Sequence, residues 1–242
     1  MRNSFNVAAI AAPAADTGTL PANAEIQAKS VNVVWQPLQV NRLARARQKA
    51  QGSCVVWLTG LSGAGKSTLA NAIDLALFQR GCHSYLLDGD NLRHGLSSDL
   101  GFEETDRIES IRRLGEAAKL LFDAGLIVVV ASISPFRAAR EQIRQTVPAG
   151  HFLEVYVDTP LALCEQRDPK GLYRRARRGE IAHFTGVDSP YEAPIKPELR
   201  IDTSSVAIGA AVEKVLRKLA DSGIVAAAVR STAGDGHRLD QH

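Results

Sequence analysis

Two short stretches of this chain carry residue types and spacings suited to phosphate chemistry. Gly60-Leu61-Ser62-Gly63-Ala64-Gly65-Lys66-Ser67 fits the pattern G-x-x-x-x-G-K-[ST] at every fixed position. Glycines there permit positive φ and leave no Cβ between backbone and anion. Successive N–H groups then turn inward around phosphate oxygens, helped by the N-terminus of the helix that follows. Lys66 is expected to reach the β- and γ-phosphates and the Ser67 hydroxyl to ligate Mg²⁺, with Thr68 closing the cradle. The loop alone does not separate kinases from GTPases, motors or DNA-handling ATPases. The second stretch is Asp88-Gly89-Asp90. Gly89 lets the chain turn, so both carboxylates can face the γ-phosphate. Asp88 is the candidate to accept a hydrogen bond from an acceptor hydroxyl, and Asp90 to organise the metal and its waters. The run Val128-Val129-Val130-Ala131-Ser132 ends without the acidic residue that P-loop proteins usually carry on a later strand. The Asp-Gly-Asp pair is expected to do that work instead.

A third stretch is basic: Arg167, Lys170, Arg174, Arg175, Arg177 and Arg178, opposed in sequence by Asp168 and Glu180. It lies in a long excursion running to Pro197. Excursions of that length usually serve as lids or binding loops, and phosphoryl transfer needs cations folded over its spread negative charge. The run is expected to form a basic lid, mobile when empty and ordered by ligands.

The elements that must hold these residues alternate between strand and helix. Short apolar runs at Cys54–Thr59, His83–Leu87, Leu126–Ala131, Phe152–Asp158 and Glu198–Asp202 read as strands. Lys66–Arg80, Arg107–Ala124, Phe136–Gln145 and Val206–Ala220 read as helices. In the second helix Ile108, Ile111, Leu114, Ala118, Leu121 and Phe122 form the stripe expected to be buried. Alternating β and α with apolar strands predicts a P-loop NTPase-type α/β fold, a parallel sheet with helices on both faces. Ligands then bind beyond the carboxyl ends of the strands, where both motifs fall.

Length and composition set the bounds. The 242 residues suffice for one such domain, and 45% hydrophobic with 23% charged residues is ordinary for a globular chain. A formal net charge of +3 is too weak to argue for nucleic acid. Cys54, Cys82 and Cys164 are widely spaced and odd in number, against a disulfide framework or zinc site. No apolar run reaches the ~18 residues of a membrane span. Residues 1–30, rich in Ala, Asn, Thr and Pro, read as a disordered extension. The Val7–Ala15 stretch, broken by Pro13, makes a poor signal-peptide core. Residues 31–224 read as the P-loop domain and 225–242 as a disordered tail. A cytoplasmic location is expected.

Further phrases resemble one family. They include Asp88-Gly89-Asp90-Asn91-Leu92-Arg93-His94-Gly95-Leu96, Asp99-Leu100-Gly101-Phe102, Asp106-Arg107 and Ile133-Ser134-Pro135-Phe136-Arg137. Others are Arg167-Asp168-Pro169-Lys170-Gly171-Leu172-Tyr173 and Phe184-Thr185-Gly186-Val187-Asp188. Together they look like adenylyl-sulfate kinase, from about Val34 to Ile201. The resemblance implies an ATP- and Mg²⁺-dependent kinase acting on the ribose 3′-hydroxyl of adenosine 5′-phosphosulfate (APS), in sulfate activation. It implies that Arg93 and Arg107 hold the phosphosulfate and that Phe102 and Phe184 sandwich the adenine. Ile133 and Lys170 are implied as further acceptor contacts. Ser134 matches the family's phosphoserine position, which would make the chain a phosphoprotein. A homodimer is expected, with sulfate adenylyltransferase as a further partner and no nucleic acid or membrane. One position departs: the family's usual asparagine is Ser110 here. A single hydroxyl replaces an amide at a substrate contact, a difference of about 1 kcal/mol. Among other readings, a P-loop kinase for a sugar acid or nucleoside monophosphate leaves Phe102 and Phe184 unexplained. A nucleotide-binding domain without catalysis predicts loss of Lys66, Ser67 or the carboxylates. A GTPase lacks its Asn-Lys-x-Asp motif.

Overall fold

The computed structural model describes Val34 and residues 36–226. The expected extension, residues 1–30, and most of the expected tail lie outside the described residues. Five strands form one parallel sheet: β1 (Cys54–Thr59), β2 (Ser84–Asp88), β3 (Ile127–Ala131), β4 (Phe152–Val157) and β5 (Leu199–Ile201). Their order across the sheet is β2-β3-β1-β4-β5. The first strand is therefore central, with Val56 beside Val129 on one flank and Leu153 on the other. All six of its residues are buried, as an apolar strand covered on both faces must be.

Alternation along β1 divides the interior in two. Cys54, Val56 and Leu58 face a core closed by α2 (Lys66–Gln79) and α8 (Ile208–Asp221) through Leu69, Ile73, Leu77, Val215 and Leu219. Val55 and Trp57 face a second core closed by α4 (Glu104–Asp123) and α5 (Arg137–Arg144) through Ile111, Leu114, Phe122 and Ile143. Helices on both faces of a parallel sheet match the expected fold.

Several local expectations shift. Ile108, placed on the buried stripe of α4, is 40% exposed, and the buried face begins at Ile111. Cys54 and Cys164 are buried, but Cys82 is only half-buried. The packed chain also runs past residue 224: Val225 is buried, and the Ile224 carbonyl accepts from the Gly52 N–H at 2.7 Å. Four short helices had no bounds in the sequence reading: α1 (Arg42–Gln48), α3 (Gly89–Leu92), α6 (Leu161–Arg167) and α7 (Leu172–Arg177). Among the described residues, no helix is long and apolar enough to cross a membrane.

Candidate active site

The phosphate loop leaves the carboxyl end of β1 and feeds α2. Gly60 has φ 152° and Gly63 φ 74°. A Cβ on Gly60 would sit 2.5 Å from the Val157 carbonyl oxygen, and one on Gly63 would sit 2.9 Å from that of Cys164. Both glycines are thus required by conformation and by space. Lys66 opens α2 and is buried, its Nζ donating back to the Gly60 (2.9 Å) and Leu61 (2.7 Å) carbonyls. Burial pushes its ammonium down to about 8, opposed by the nearby charges of Asp90, Cys164 and Asp88. The loop therefore holds its lysine pre-folded over the cradle.

The two carboxylates after β2 separate. Asp88 caps α3, its Oδ1 accepting from the Asp90 N–H at 2.9 Å. Its Oδ2 accepts from the Ser67 hydroxyl at 2.7 Å. The Asp90 side chain instead pairs with Lys170. Sequence spacing had given the metal environment to Ser67 and Asp90, whereas the oxygen standing beside Ser67 belongs to Asp88. The reason is local: the helical turn that starts at Gly89 points Asp88 back toward the loop. Ser67 and Asp88 offer two hard oxygens, and among the described residues no cluster of three or more His, Cys, Asp or Glu forms a protein-only metal cage. Such a donor set suits Mg²⁺, which takes one or two protein oxygens and fills its octahedron with phosphates and waters.

On the acceptor side, Phe102 is 59% exposed and the Arg93 guanidinium lies 4.2 Å above its ring. Arg93 also donates to the Gly101 carbonyl at 2.9 Å. Arg107 donates from Nε to the Phe102 carbonyl at 2.7 Å, and from its terminal nitrogens to the Thr185 hydroxyl and the His183 carbonyl. One guanidinium thus spans the two segments that carry Phe102 and Phe184. Phe184 is buried, edge-on to Tyr173 at 4.9 Å, so only Phe102 presents an open face. The Ser110 hydroxyl donates to Ser97 at 3.4 Å and is directed into the fold.

The basic segment consists of α6 and α7, joined by a turn at Asp168 with φ 22°. The Asp168 carboxylate accepts from the Tyr173 (3.0 Å) and Arg174 (3.1 Å) N–H groups, capping α7. Tyr173 is buried and donates its hydroxyl to the Ser62 carbonyl at 3.0 Å. Arg167 reaches the Thr203 hydroxyl and carbonyl, both at 3.0 Å. The segment is anchored to the phosphate loop, and its outward arginines pair with Glu165, Asp168 and Glu180.

Ser134 and Ile133 sit in the turn after β3. Ser134 has φ 38° and is 1% exposed. Its Oγ accepts from the Trp57 indole at 3.0 Å and donates to the Ser132 carbonyl at 3.3 Å. The Ile133 carbonyl accepts from the Thr59 hydroxyl at 2.7 Å, and Thr59 accepts in turn from the Tyr191 hydroxyl at 3.0 Å. The sequence reading assigned no role to Thr59, Tyr191, Arg140 or Glu154. The one available signal was Glu154, a charge inside the apolar run of β4.

A central strand ending in an anion cradle, with carboxylates moved to the end of β2 on the far side of β3, defines a P-loop kinase for a small acceptor. The comparisons are more specific. Residues 52–202 match the family model for adenylylsulphate kinase. An adenylyl-sulfate kinase from Marinobacter nauticus is 55% identical over 194 residues, covering 80% of this chain and 98% of that protein. The solved Mycobacterium tuberculosis APS kinase in complex with AMPPNP and APS is 50% identical with a TM-score of 0.67, over 70% of this chain and 98% of that one. A hexameric APS kinase from Thiobacillus denitrificans is 35% identical with a TM-score of 0.57, over 76% of this chain and 32% of that one. The chain belongs to the adenylylsulphate kinase family.

Proposed function

We propose that this chain transfers the γ-phosphoryl group of ATP to the 3′-hydroxyl of APS, giving 3′-phosphoadenylyl sulfate (PAPS) and ADP in sulfate assimilation. The observation that carries the reading is the acceptor side: Arg93 lies over the exposed ring of Phe102, and Arg107 holds the Phe102 carbonyl. A nucleotide bearing an anionic tail is the acceptor that uses both. Arg93 now covers the ring face that a purine needs. APS binding exchanges them, the base taking the ring and Arg93 turning to the phosphosulfate. Arg107 joins it there, and Phe184 closes the far side of the base. Ile133 and Lys170 add contacts, Lys170 leaving Asp90 to meet developing charge.

In transfer, the loop N–H groups of Gly60–Thr68 and the Lys66 ammonium hold the β- and γ-phosphates. Mg²⁺, when bound, neutralises phosphate charge, and Ser67 and Asp88 are the residues that would hold it. Asp88 also accepts the hydrogen bond that orients the 3′-hydroxyl in line with phosphorus. The packed unit proposed to do this includes α1 (Arg42–Gln48) at one end and Val225 at the other. A cytoplasmic location and self-association are part of the proposal. The hexameric relative supports self-association in general. A homodimer and a sulfate adenylyltransferase partner are the particular forms we favour.

The test is coupled ATP turnover with APS set against shikimate, gluconate and AMP. APS is expected to be turned over far faster than the other three. Equal rates would overturn the acceptor assignment.

Ser134 takes no covalent part in this scheme. A phosphoserine route needs an activated, accessible oxygen in line with phosphorus. The buried Ser134 hydroxyl, bonded on both sides, supports direct transfer. Ser134→Ala is expected to keep at least about a tenth of wild-type kcat, since it loses ordinary neutral hydrogen bonds and no nucleophile. Chiral γ-phosphorothioate is expected to give product inverted at phosphorus. Retention, with an inactive but folded Ser134→Ala protein, would establish the two-step route.

A further inference from the structure

Glu154 lies on β4 beside Trp57, on the sheet face that packs against α5. A carboxylate at such a position must be paired. Arg140 answers it from α5, Nε to Oε1 at 2.8 Å, with the two side chains 2% and 10% exposed. The other carboxylate oxygen takes Arg144 at 3.3 Å, and Arg144 is itself held by Glu198.

The pair does more than satisfy itself. Arg140 Nη1 donates to the Ser134 carbonyl at 2.6 Å and Nη2 to the Glu192 carbonyl at 2.8 Å. One buried guanidinium therefore ties β4, the β3 turn and the strand-like strap around Glu192. The same two segments meet again nearby: the Glu192 N–H donates to the Pro135 carbonyl at 2.9 Å, and the Glu192 carboxylate accepts from the Arg137 N–H at 2.7 Å. The turn carries Ile133. The strap runs back through Ser189, whose carbonyl accepts from Gly186, to Thr185 and Phe184. Each of these residues belongs to the acceptor side. None of the partners of Arg140 lies in the phosphate loop.

On the acceptor reading given above, we infer that Arg140 is a positioning residue for APS. It fixes the β3 turn against the 189–194 strap and so sets the gap the acceptor enters, without touching either substrate. A merely stabilising ion pair makes a different prediction. Its loss is repaired when both charges are removed together, because no unpaired buried charge remains. A positioning role is not repaired, because the Ser134 and Glu192 carbonyls still lack their donor.

Three variants separate the two: Arg140→Lys, Glu154→Gln, and Arg140→Met combined with Glu154→Gln. Steady-state KM for APS and for ATP are measured on each, beside the thermal midpoint. Lysine keeps the charge but cannot reach three partners in a fixed fork. Arg140→Lys and the double variant are expected to raise KM for APS by about tenfold or more, the size of one lost charge-assisted hydrogen bond, with KM for ATP within about twofold of wild type. Glu154→Gln alone leaves Arg140 its carbonyl contacts and is expected to move KM for APS by about threefold at most. If both KM values move together, or if the double variant regains wild-type KM for APS along with its thermal midpoint, Arg140 is structural and the inference is overturned. Wild-type protein that fails to turn over APS overturns the acceptor reading itself, a result visible before any variant is made.

Discussion

Lys66→Ala is expected to lower kcat by a factor on the order of 10² or more and to leave the fold intact. In the proposed transfer the ammonium meets the negative charge that grows on the phosphoryl group, so it is worth more in the transition state than in the ground state. The fold survives because the side chain costs stability as it stands. It is buried, and its pKa has fallen from 10.5 to about 8. In the window between those values the unfolded chain holds the proton that the folded chain has lost. Stability therefore rises with pH there, and the penalty is fully present below about 8. Alanine removes that penalty. ATP binding adds a second signature. Phosphate oxygens draw the pKa back up, so at pH values above about 8 binding takes up a proton and affinity falls as pH climbs. Calorimetry at alkaline pH in two buffers of different ionisation enthalpy should show that uptake for wild type and none for Lys66→Ala. A folded Lys66→Ala protein with near-normal turnover would sink the phosphate-loop assignment.

The parts of this molecule that could be read from sequence are those in which one local rule decides the outcome. The apolar run Cys54–Thr59 became β1 at those bounds because a strand covered on both faces tolerates only apolar residues. Lys66 begins α2 because Gly65 before it takes a left-handed conformation, φ 96°, that glycine adopts without strain. Where two rules compete, sequence fell short. Asp88 and Asp90 are chemically equal and two apart. Only the short helix starting at Gly89 decides which of them meets Ser67 and which meets Lys170. The basic run reads as loop and helix without bounds, because the intervening Asp168-Pro169-Lys170-Gly171 reads as loop and the cap of α7 comes from an aspartate four residues before its first residue. Ile108 fits the helical period, yet it lies outside the part of α4 that meets the sheet. Arg140 was illegible for a stronger reason. Its three partners lie 6, 14 and 52 residues away, and two of them are carbonyls that no side-chain pattern reports.

Asp88→Asn is the sharpest test of how the paired carboxylates divide their work. The amide keeps the Oδ1 that accepts from the Asp90 N–H and caps α3, so the helix and the course of the chain after β2 are retained. What is lost is the charge on the oxygen beside the Ser67 hydroxyl, and with it the group proposed to serve both the metal and the acceptor hydroxyl. Removing a general base or a charge aimed at developing charge costs about 10² to 10³ in kcat. The half-saturating Mg²⁺ concentration should rise as well, while KM for ATP changes little, because the loop N–H groups and Lys66 still hold the phosphates. Asp90→Asn is the matched control. Asp90 pairs with Lys170 where both side chains are more than half exposed, at 67% and 58%. Exposed pairs of this kind are weak, and Lys170 is released toward the acceptor rather than orphaned. Its loss should cost about tenfold or less in kcat, with the Mg²⁺ dependence unchanged. The reverse ranking, with Asp90→Asn crippling turnover and shifting the Mg²⁺ titration while Asp88→Asn does neither, would return the metal to Asp90. It would also mean that the contact between Ser67 and Asp88 belongs only to the ligand-free enzyme.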